Sequence, residues 1–316
     1  MTEDTHALPR ILVLRGGAIG DFVCTLPALA ALRARWPGAY IELLGYPHVA
    51  ALAAEAGLVD RVRSLDQADV AQLFSFAPRI GQEQAAALRA FDLVLSYLYD
   101  PYGTLRENLR DAGVRQVLYG DPRVRAEHAA DHLMKPLEEL AIYPAGESEP
   151  RLELGPEAAR EGRRRLPVPG QDAVLLHPGS GSAAKNWPLA RFLALADQIA
   201  AERLGAPVFL VGEADDAIAA ELARRPDRPV LAGLPLAQVA RVLSACRAYV
   251  GNDSGITHLA AALGRPTVAL FGPSDAAAWG PRGRHVRIFR SAEPTTESLA
   301  EMEPETILHG LCALLD

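Results

Sequence analysis

The sequence has few cysteines and no long apolar segment. Its three cysteines, Cys24, Cys246 and Cys312, lie far apart, and their spacing suits neither a disulfide framework nor a zinc site. The longest apolar runs have the length of a strand and fall short of the roughly 18 residues needed to span a bilayer. The first nine residues lack the apolar core of a signal peptide. We expect a cytoplasmic protein with at most peripheral contact with a membrane surface.

Positive charge is also scarce. The formal net charge is −7 at pH 7, which argues against a nucleic-acid partner because such proteins need basic surface against phosphates. Only two of the 32 basic residues, Lys135 and Lys185, are lysines, so each lysine is a candidate for a specific role. The length of 316 residues favours two domains that share one cleft.

Short apolar runs alternate with helical segments in two series. The predicted strands are 10–14, 41–44, a short one around Val62, 91–95, 173–176, 207–211, 248–250 and 267–271. The proline-rich segment 144–169 between the series is a predicted linker with a short helix inside it. This alternation predicts an α/β protein with two Rossmann-like, doubly wound domains, and ligands at the carboxyl ends of the strands. We place the N-terminal domain at 1–155 and the C-terminal domain at 156–300.

One loop of the second half has the features of a phosphate site. The stretch from Gly251 to Ala261 passes from a strand into a helix, where backbone N–H groups and the helix dipole favour an anion. Gly255 permits close approach, Ser254 and Thr257 offer hydroxyls, and His258 lies in the first helical turn. A purely structural alternative, in which Asp253 or Ser254 caps the helix, stays open.

A second loop has the same organisation. His177 to Pro188 again joins a strand to a helix and carries Lys185, whose ammonium suits a phosphate oxygen; a solvated surface lysine is the alternative. Two such loops predict a diphosphate held between them. Glu213 and Asp216 follow the next strand, where carboxylates can hold ribose hydroxyls, although a negatively charged helix start explains them equally well.

The N-terminal turn is rich in glycine. Gly16, Gly17 and Gly20 resemble a dinucleotide fingerprint, but the first glycine of that motif would fall on Arg15, which disfavours a nicotinamide-dependent oxidoreductase. Asp21 opens the following helix. It is a candidate general base for an acceptor hydroxyl, with a structural first-turn acid as the alternative.

Taken together, these stretches resemble glycosyltransferase family 9, the ADP-heptose:lipopolysaccharide heptosyltransferases, over nearly the whole length. The resemblance rests on Leu14 to Asp21 with Thr25 to Pro27, His177 to Ser180 with Lys185 to Pro188, and Asp253 to His258 with Phe271 to Asp275.

The resemblance implies a GT-B fold, with two facing Rossmann-like domains, a central cleft and a C-terminal helix (301–316) that packs back on the N-terminal domain. It implies inversion at the anomeric carbon with Asp21 as base, and no cofactor or metal, in keeping with the lack of an Asp-x-Asp motif. The residues implied to bind and stabilise the diphosphate are Ser180, Lys185, Ser254, Gly255 and His258. Asp253 would contact the donor sugar or shape the loop, and Glu213 and Asp216 would hold the ribose.

The expected reaction is transfer of heptose from ADP-heptose onto a bacterial cell-envelope glycan or glycolipid, such as the lipopolysaccharide core. The alternatives are another nucleotide sugar or acceptor, as in exopolysaccharide synthesis or protein glycosylation, a non-catalytic nucleotide-sugar-binding relative, and a sugar-nucleotide epimerase. For an anionic acceptor the sequence offers scattered arginines: Arg106, Arg110, Arg115, Arg123 and Arg125.

Overall fold

The computed structural model describes residues 8–76 and 80–316. Contacts between Cα atoms divide the chain into two compact units, Met1–Ser148 and Glu149–Asp316. The division lies inside the proline-rich segment 144–169, seven residues before the boundary predicted at residue 155.

The first unit is built on a five-stranded parallel sheet. Its strands are β1 (Arg10–Leu14), β2 (Tyr40–Gly45), β3 (Arg61–Ser64), β4 (Leu93–Ser96) and β5 (Gln116–Tyr119), in the order β3-β2-β1-β4-β5. Its helices are α1 (Ile19–Arg35), α2 (Pro47–Glu55), α3 (Ala68–Gln72), α4 (Gln82–Arg89), α5 (Thr104–Asp111) and α6 (Ala129–Met134), followed by a 3-10 helix at Lys135–Leu140.

The second unit is built on a six-stranded parallel sheet. Its strands are β6 (Ala173–His177), β7 (Ala206–Val211), β8 (Val230–Ala232), β9 (Ala248–Asn252), β10 (Thr267–Phe271) and β11 (Val286–Arg290), in the order β11-β10-β9-β6-β7-β8. Its helices are α7 (Gly155–Arg165), α8 (Leu189–Ala201), α9 (Asp216–Ala223), α10 (Leu236–Ala245), α11 (Gly255–Ala262), α12 (Ala276–Trp279), α13 (Thr296–Ala300) and α14 (Pro304–Leu315), with a 3-10 turn at Ala183–Lys185.

Both sheets reverse their winding direction at a central pair of strands. In the first sheet this switch lies between β1 and β4, and in the second it lies between β6 and β9. Loops that leave the carboxyl ends of such a pair run to opposite sides and leave a crevice between them, where ligands bind in doubly wound sheets. The loop with Asp21 follows β1, and the two predicted phosphate loops follow β6 and β9.

The predicted α/β architecture is confirmed, and so are the strands that carry the motifs. Sequence reasoning missed β5, β8 and β11. The first two have only four and three residues. In β11 two arginines, Arg287 and Arg290, interrupt the apolar residues, as an edge strand permits.

The C-terminal helix α14 belongs to the second unit. It packs on α8 and on β10 and β11, and its Ile307 and Leu311 are fully buried in the core there. Trp187 joins this core: its ring meets Phe192 edge-on at 5.0 Å, and its indole N–H donates to the carbonyl of Met302 over 3.1 Å. Packing of α14 on the N-terminal domain stays a prediction.

Helices α7 and α10 cross at backbone contact. A Cβ atom added to Gly162, in the interior of α7, would lie 1.8 Å from the carbonyl oxygen of Arg241. Only glycine therefore permits this crossing, which attaches the linker helix to the second unit.

We predict that Gly162→Ala lowers the free energy of unfolding by about 1–3 kcal/mol, because the helices must separate to admit the methyl group. Alanine in a helix is normally the more stable residue, by about 1 kcal/mol, so the sign of the change is diagnostic. Gly146→Ala, outside the helices, is the control for an added methyl group that meets no atom within 4 Å. Urea unfolding of both variants checks the prediction, and a stabilised Gly162→Ala protein would contradict it.

Candidate functional site

The loop after β1 places the Asp21 carboxylate over the start of α1. Gly17 has φ +96°, and a Cβ atom at this position would lie 2.9 Å from Asp21 Oδ2. Asp21 Oδ2 accepts a hydrogen bond from the N–H of Ala18 over 2.9 Å. Gly20, the last glycine of the predicted loop, lies in the first turn of α1.

A buried arginine lies behind Asp21. Arg15 Nη2 donates to the carbonyl oxygen of Asp21 over 2.8 Å and lies 3.6 Å from its Oδ1 atom. Burial lowers the pKa of Arg15, and the Asp21 charge opposes this shift. The Asp21 side chain is 31% exposed, so the carboxylate that Arg15 and the N–H of Ala18 contact remains accessible from solvent.

In the second unit, Asn252 joins the loops after β6 and β9. Its side chain is fully buried. The amide nitrogen donates to the carbonyl of Pro178 over 2.8 Å, and Oδ1 accepts from the N–H of Trp187 over 2.9 Å. One amide thus fixes both ends of the β6 loop against the end of β9.

The same two loops meet through an ion pair. Lys185 Nζ lies 2.7 Å from Asp253 Oδ2; the lysine side chain is 39% exposed and the carboxylate 9%. The structure therefore brings Lys185 to the loop that precedes α11. It also shows that Asp253 holds the ammonium in place.

Helix α11 begins at this point with its first turn capped by Ser254. Ser254 Oγ accepts from the N–H of Thr257 over 3.3 Å. The Thr257 hydroxyl is fully buried and donates to the carbonyl of Asn252 over 2.5 Å, so this hydroxyl maintains the turn. Gly255 opens the helix and His258 is buried in its first turn.

Ser180 shapes the β6 loop from within. Its hydroxyl lies 2.7 Å from both the carbonyl of Ser182 and Oδ1 of Asn186, and its oxygen accepts from the N–H of Ser182 over 3.2 Å. Because these contacts already use the hydroxyl, contact with a phosphate would require it to rotate.

Carboxylates follow β7 as predicted, but they differ in exposure. Glu213 and Asp216 are exposed, as ribose ligands must be. Asp215, between them, is buried; it accepts from the N–H of Gly212 over 2.8 Å and lies 3.5 Å from His177 Nε2.

Sequence reasoning gave no role to Asn252, His177 or Asp215. His177 and Asn252 end strands β6 and β9, and Asp215 lies in the loop after β7. A polar residue at such a position is the signal that could have found them.

The arginines proposed for the acceptor divide into two groups. Arg123, after β5, lies 4.4 Å above the ring of Tyr99, and Arg106 lies 4.8 Å above Tyr119; both are near the carboxyl edge of the first sheet. All three arginines are ion-paired, Arg123 with Asp121 over 2.8 Å, Arg106 with Asp100 over 3.6 Å and Arg115 with Asp92 over 3.4 Å. Arg115 differs in position, because it precedes β5 and lies at the other edge of the sheet. Arg110 lies in the last turn of α5 and Arg125 is exposed. The geometry thus favours Arg106 and Arg123 over Arg115.

Residues 102–309 match the sequence profile of glycosyltransferase family 9 (heptosyltransferase). The chain belongs to glycosyltransferase family 9. This match covers the β6 and β9 loops but begins after Asp21, so the assignment of Asp21 rests on the N-terminal stretch alone.

Named proteins resemble the chain to different extents. Lipopolysaccharide heptosyltransferase 2 of Escherichia coli K12 is 36% identical over 42% of this chain and 43% of its own length, so the chain matches less than half of that relative. Lipopolysaccharide heptosyltransferase 1 of the same strain is 25% identical over 96% of this chain and 100% of its own length. The solved E. coli ADP-heptose lipopolysaccharide heptosyltransferase II superposes with a TM-score of 0.79 at 22% identity, over 97% and 98% of the two chains. This likeness confirms the GT-B fold class.

Two structural findings bear on membrane contact and on metal binding. Among residues 8–76 and 80–316, no helix is long and apolar enough to cross a membrane. In that same part of the chain, no three acidic, histidine or cysteine side chains group as metal ligands would. Use of no metal and peripheral contact with the membrane stay predictions.

The buried Asp215 predicts a loss of stability in acid. Burial would raise the pKa of Asp215, but the contact with His177 and the hydrogen bond from Gly212 outweigh it and hold this pKa below its ordinary value. A lowered pKa in the folded state stabilises the protein above the unfolded-state pKa of about 4, and this contribution disappears as the pH falls through the folded-state value.

We therefore expect Asp215→Asn to reduce the acid-dependent part of the free energy of unfolding between roughly pH 5 and pH 2. Asp216→Asn is the control, because that carboxylate is exposed. Denaturant melts across this pH range measure the effect, and equal pH dependence in both variants would exclude it.

Proposed function

We propose that this chain is an inverting glycosyltransferase that takes heptose from ADP-heptose and transfers it to a bacterial cell-envelope glycan such as the lipopolysaccharide core. Family membership and the heptosyltransferases it resembles support this choice. The observation that carries it is the junction at the β6–β9 switch, where Lys185 meets the loop that opens α11.

This junction suits a diphosphate leaving group. The N-terminus of α11 presents backbone N–H groups and the positive end of the helix dipole. Lys185 adds a formal charge; only one contact of its ammonium is taken by Asp253, and an ammonium has three N–H donors. Ser254, Gly255 and His258 would complete the cradle, with Ser180 and Thr257 maintaining the shape of the loops. Charge that develops on the departing diphosphate is thus stabilised by groups already in position.

Asp21 is the proposed base that removes the proton from the acceptor hydroxyl. In the proposed reaction the acceptor hydroxyl passes its proton to Asp21, its oxygen forms the new bond to the anomeric carbon, and the bond from that carbon to the diphosphate breaks. Attack on the face opposite the leaving group inverts the configuration. Because Arg15 and the N–H of Ala18 orient the carboxylate, it needs no rearrangement to accept the proton.

Other contacts follow from exposure and position. Glu213 and Asp216 are the proposed ribose ligands, with Asp253 near the donor sugar. Arg106 and Arg123 are the proposed contacts for an anionic acceptor. No metal enters this scheme, since Lys185 and α11 stabilise the leaving group. We place the reaction in the cytoplasm, on a glycolipid reached by peripheral contact with the inner membrane.

The first test is thermal-shift binding of ADP, UDP and GDP and their sugar conjugates to the wild type and to Lys185→Ala. A ligand that binds only the folded state raises its melting temperature, so we expect stabilisation by ADP species that is lost in the variant. Lys135→Ala, which removes the other lysine, is the matched control. Selective stabilisation by UDP or GDP would replace the proposed donor, and no response to any nucleotide would indicate a non-catalytic relative.

For turnover, we expect Asp21→Asn to lower kcat for sugar transfer by about 10²–10⁴-fold, the usual contribution of a general base. The amide keeps the shape but cannot take the proton, so donor affinity should change little. Product release with a glycolipid acceptor measures kcat, and the same assay with EDTA tests the absence of a metal. Turnover equal to wild type in Asp21→Asn would reassign the base, and loss with EDTA would restore a cation to the mechanism.

A further inference from the structure

A chain of polar side chains, buried except for the half-buried Ser254, links the loops after β6 and β9. His177 occupies its centre: Nε2 lies 3.5 Å from Asp215 Oδ2, and Nδ1 lies 3.1 Å from the Tyr249 hydroxyl and 3.4 Å from Ser254 Oγ. Tyr249 and Ser254 each approach Thr257 Oγ1 within 3.1 Å. The chain thus links the ends of β6, β7 and β9.

The backbone leaves room for this chain at two glycines. A Cβ atom at Gly179 would lie 1.9 Å from Asp215 Oδ1, and one at Gly251 would lie 2.3 Å from the Tyr249 hydroxyl. Side chains at these positions would displace the carboxylate and the phenol. Both glycines belong to the predicted phosphate loops, yet here they accommodate protein side chains.

The neighbours of His177 determine which of its ring nitrogens donates a hydrogen bond and which accepts one. Asp215 is a carboxylate acceptor, so it favours the tautomer of His177 with the proton on Nε2. The other ring nitrogen, Nδ1, is then an acceptor that faces two hydroxyls, those of Tyr249 and Ser254. Burial raises the pKa of Tyr249, so its hydroxyl remains protonated.

We infer that His177, oriented by Asp215, is a positioning residue that sets the direction of the Ser254 hydroxyl and thereby the readiness of the α11 turn to bind a diphosphate. This inference rests on the proposed function, since it concerns the donor half of the same site. Ser254 has one hydroxyl proton and two neighbouring acceptors, His177 Nδ1 and Thr257 Oγ1. Tyr249 competes for His177 and so limits how tightly Ser254 is held there.

The test is a double-mutant cycle on nucleotide affinity. His177→Gln retains an N–H near the position of Nε2 for Asp215 but removes the Nδ1 acceptor, and Ser254→Ala removes the hydroxyl. ADP, UDP and GDP are titrated by calorimetry into the wild type, both single variants and the double variant.

If His177 acts through Ser254, His177→Gln releases the hydroxyl proton to the phosphate and tightens binding by up to roughly tenfold, whereas Ser254→Ala weakens binding by roughly tenfold, in the range of one hydrogen bond. The double variant then binds like Ser254→Ala. Independent effects would instead offset each other in the double variant, and that result, or unchanged or weaker binding in His177→Gln, would overturn the inference. A wild type that binds none of the three nucleotides would overturn the proposed function itself, and the inference with it.

A second pair of variants separates positioning from general destabilisation. Asp215→Ala removes the carboxylate acceptor that holds the ring proton on His177 Nε2, so the proton can move to Nδ1, which then cannot accept from Ser254. We expect the same gain of affinity as in His177→Gln. This gain should be absent in Leu195→Ala, a substitution that truncates a fully buried side chain of α8 and destabilises the same unit. Weaker binding in both variants would show that stability alone controls affinity and would refute the positioning role.

Discussion

The side-chain amide of Asn252 is the constraint on which the donor half of the structure depends. It is fully buried at the end of β9 and bonds to the backbone at both Pro178 and Trp187. A buried amide left without these partners would cost about 1–3 kcal/mol, so the β6 loop cannot open without a penalty. This geometry, in turn, lets Lys185 reach Asp253 and lets the turn of α11 face the same crevice.

Net charge and local charge have opposite signs in this protein. A chain with net charge −7 would repel a nucleoside diphosphate at long range, but salt screens that repulsion beyond about 8 Å at physiological ionic strength. Within that distance the helix terminus and Lys185 determine the field. Asp253 offsets part of this attraction, but because it already holds the ammonium in place, less side-chain entropy is lost when a ligand binds.

The sequence was sufficient for the fold class and for the positions of the loops, because apolar strands and strand-to-helix transitions are local patterns. The roles of individual side chains were harder to predict. Thr257 and Ser180 have the hydroxyls expected of phosphate ligands, yet their contacts lie within the loops. Asp215 was passed over in favour of its neighbours Glu213 and Asp216, since the burial that separates them depends on His177, 38 residues earlier in the sequence.

Glycine is also an ambiguous sign of a phosphate site, because its role too depends on contacts with residues distant in the sequence. At Gly179 and Gly251 a missing Cβ makes room for Asp215 and Tyr249, so these positions would be glycine even in a loop that bound nothing. At Gly181, in contrast, a Cβ would meet no atom within 4 Å, so the surface there is open to an incoming ligand. A glycine-rich loop therefore combines two requirements, internal packing and access for a ligand, and only the packing around each residue separates them.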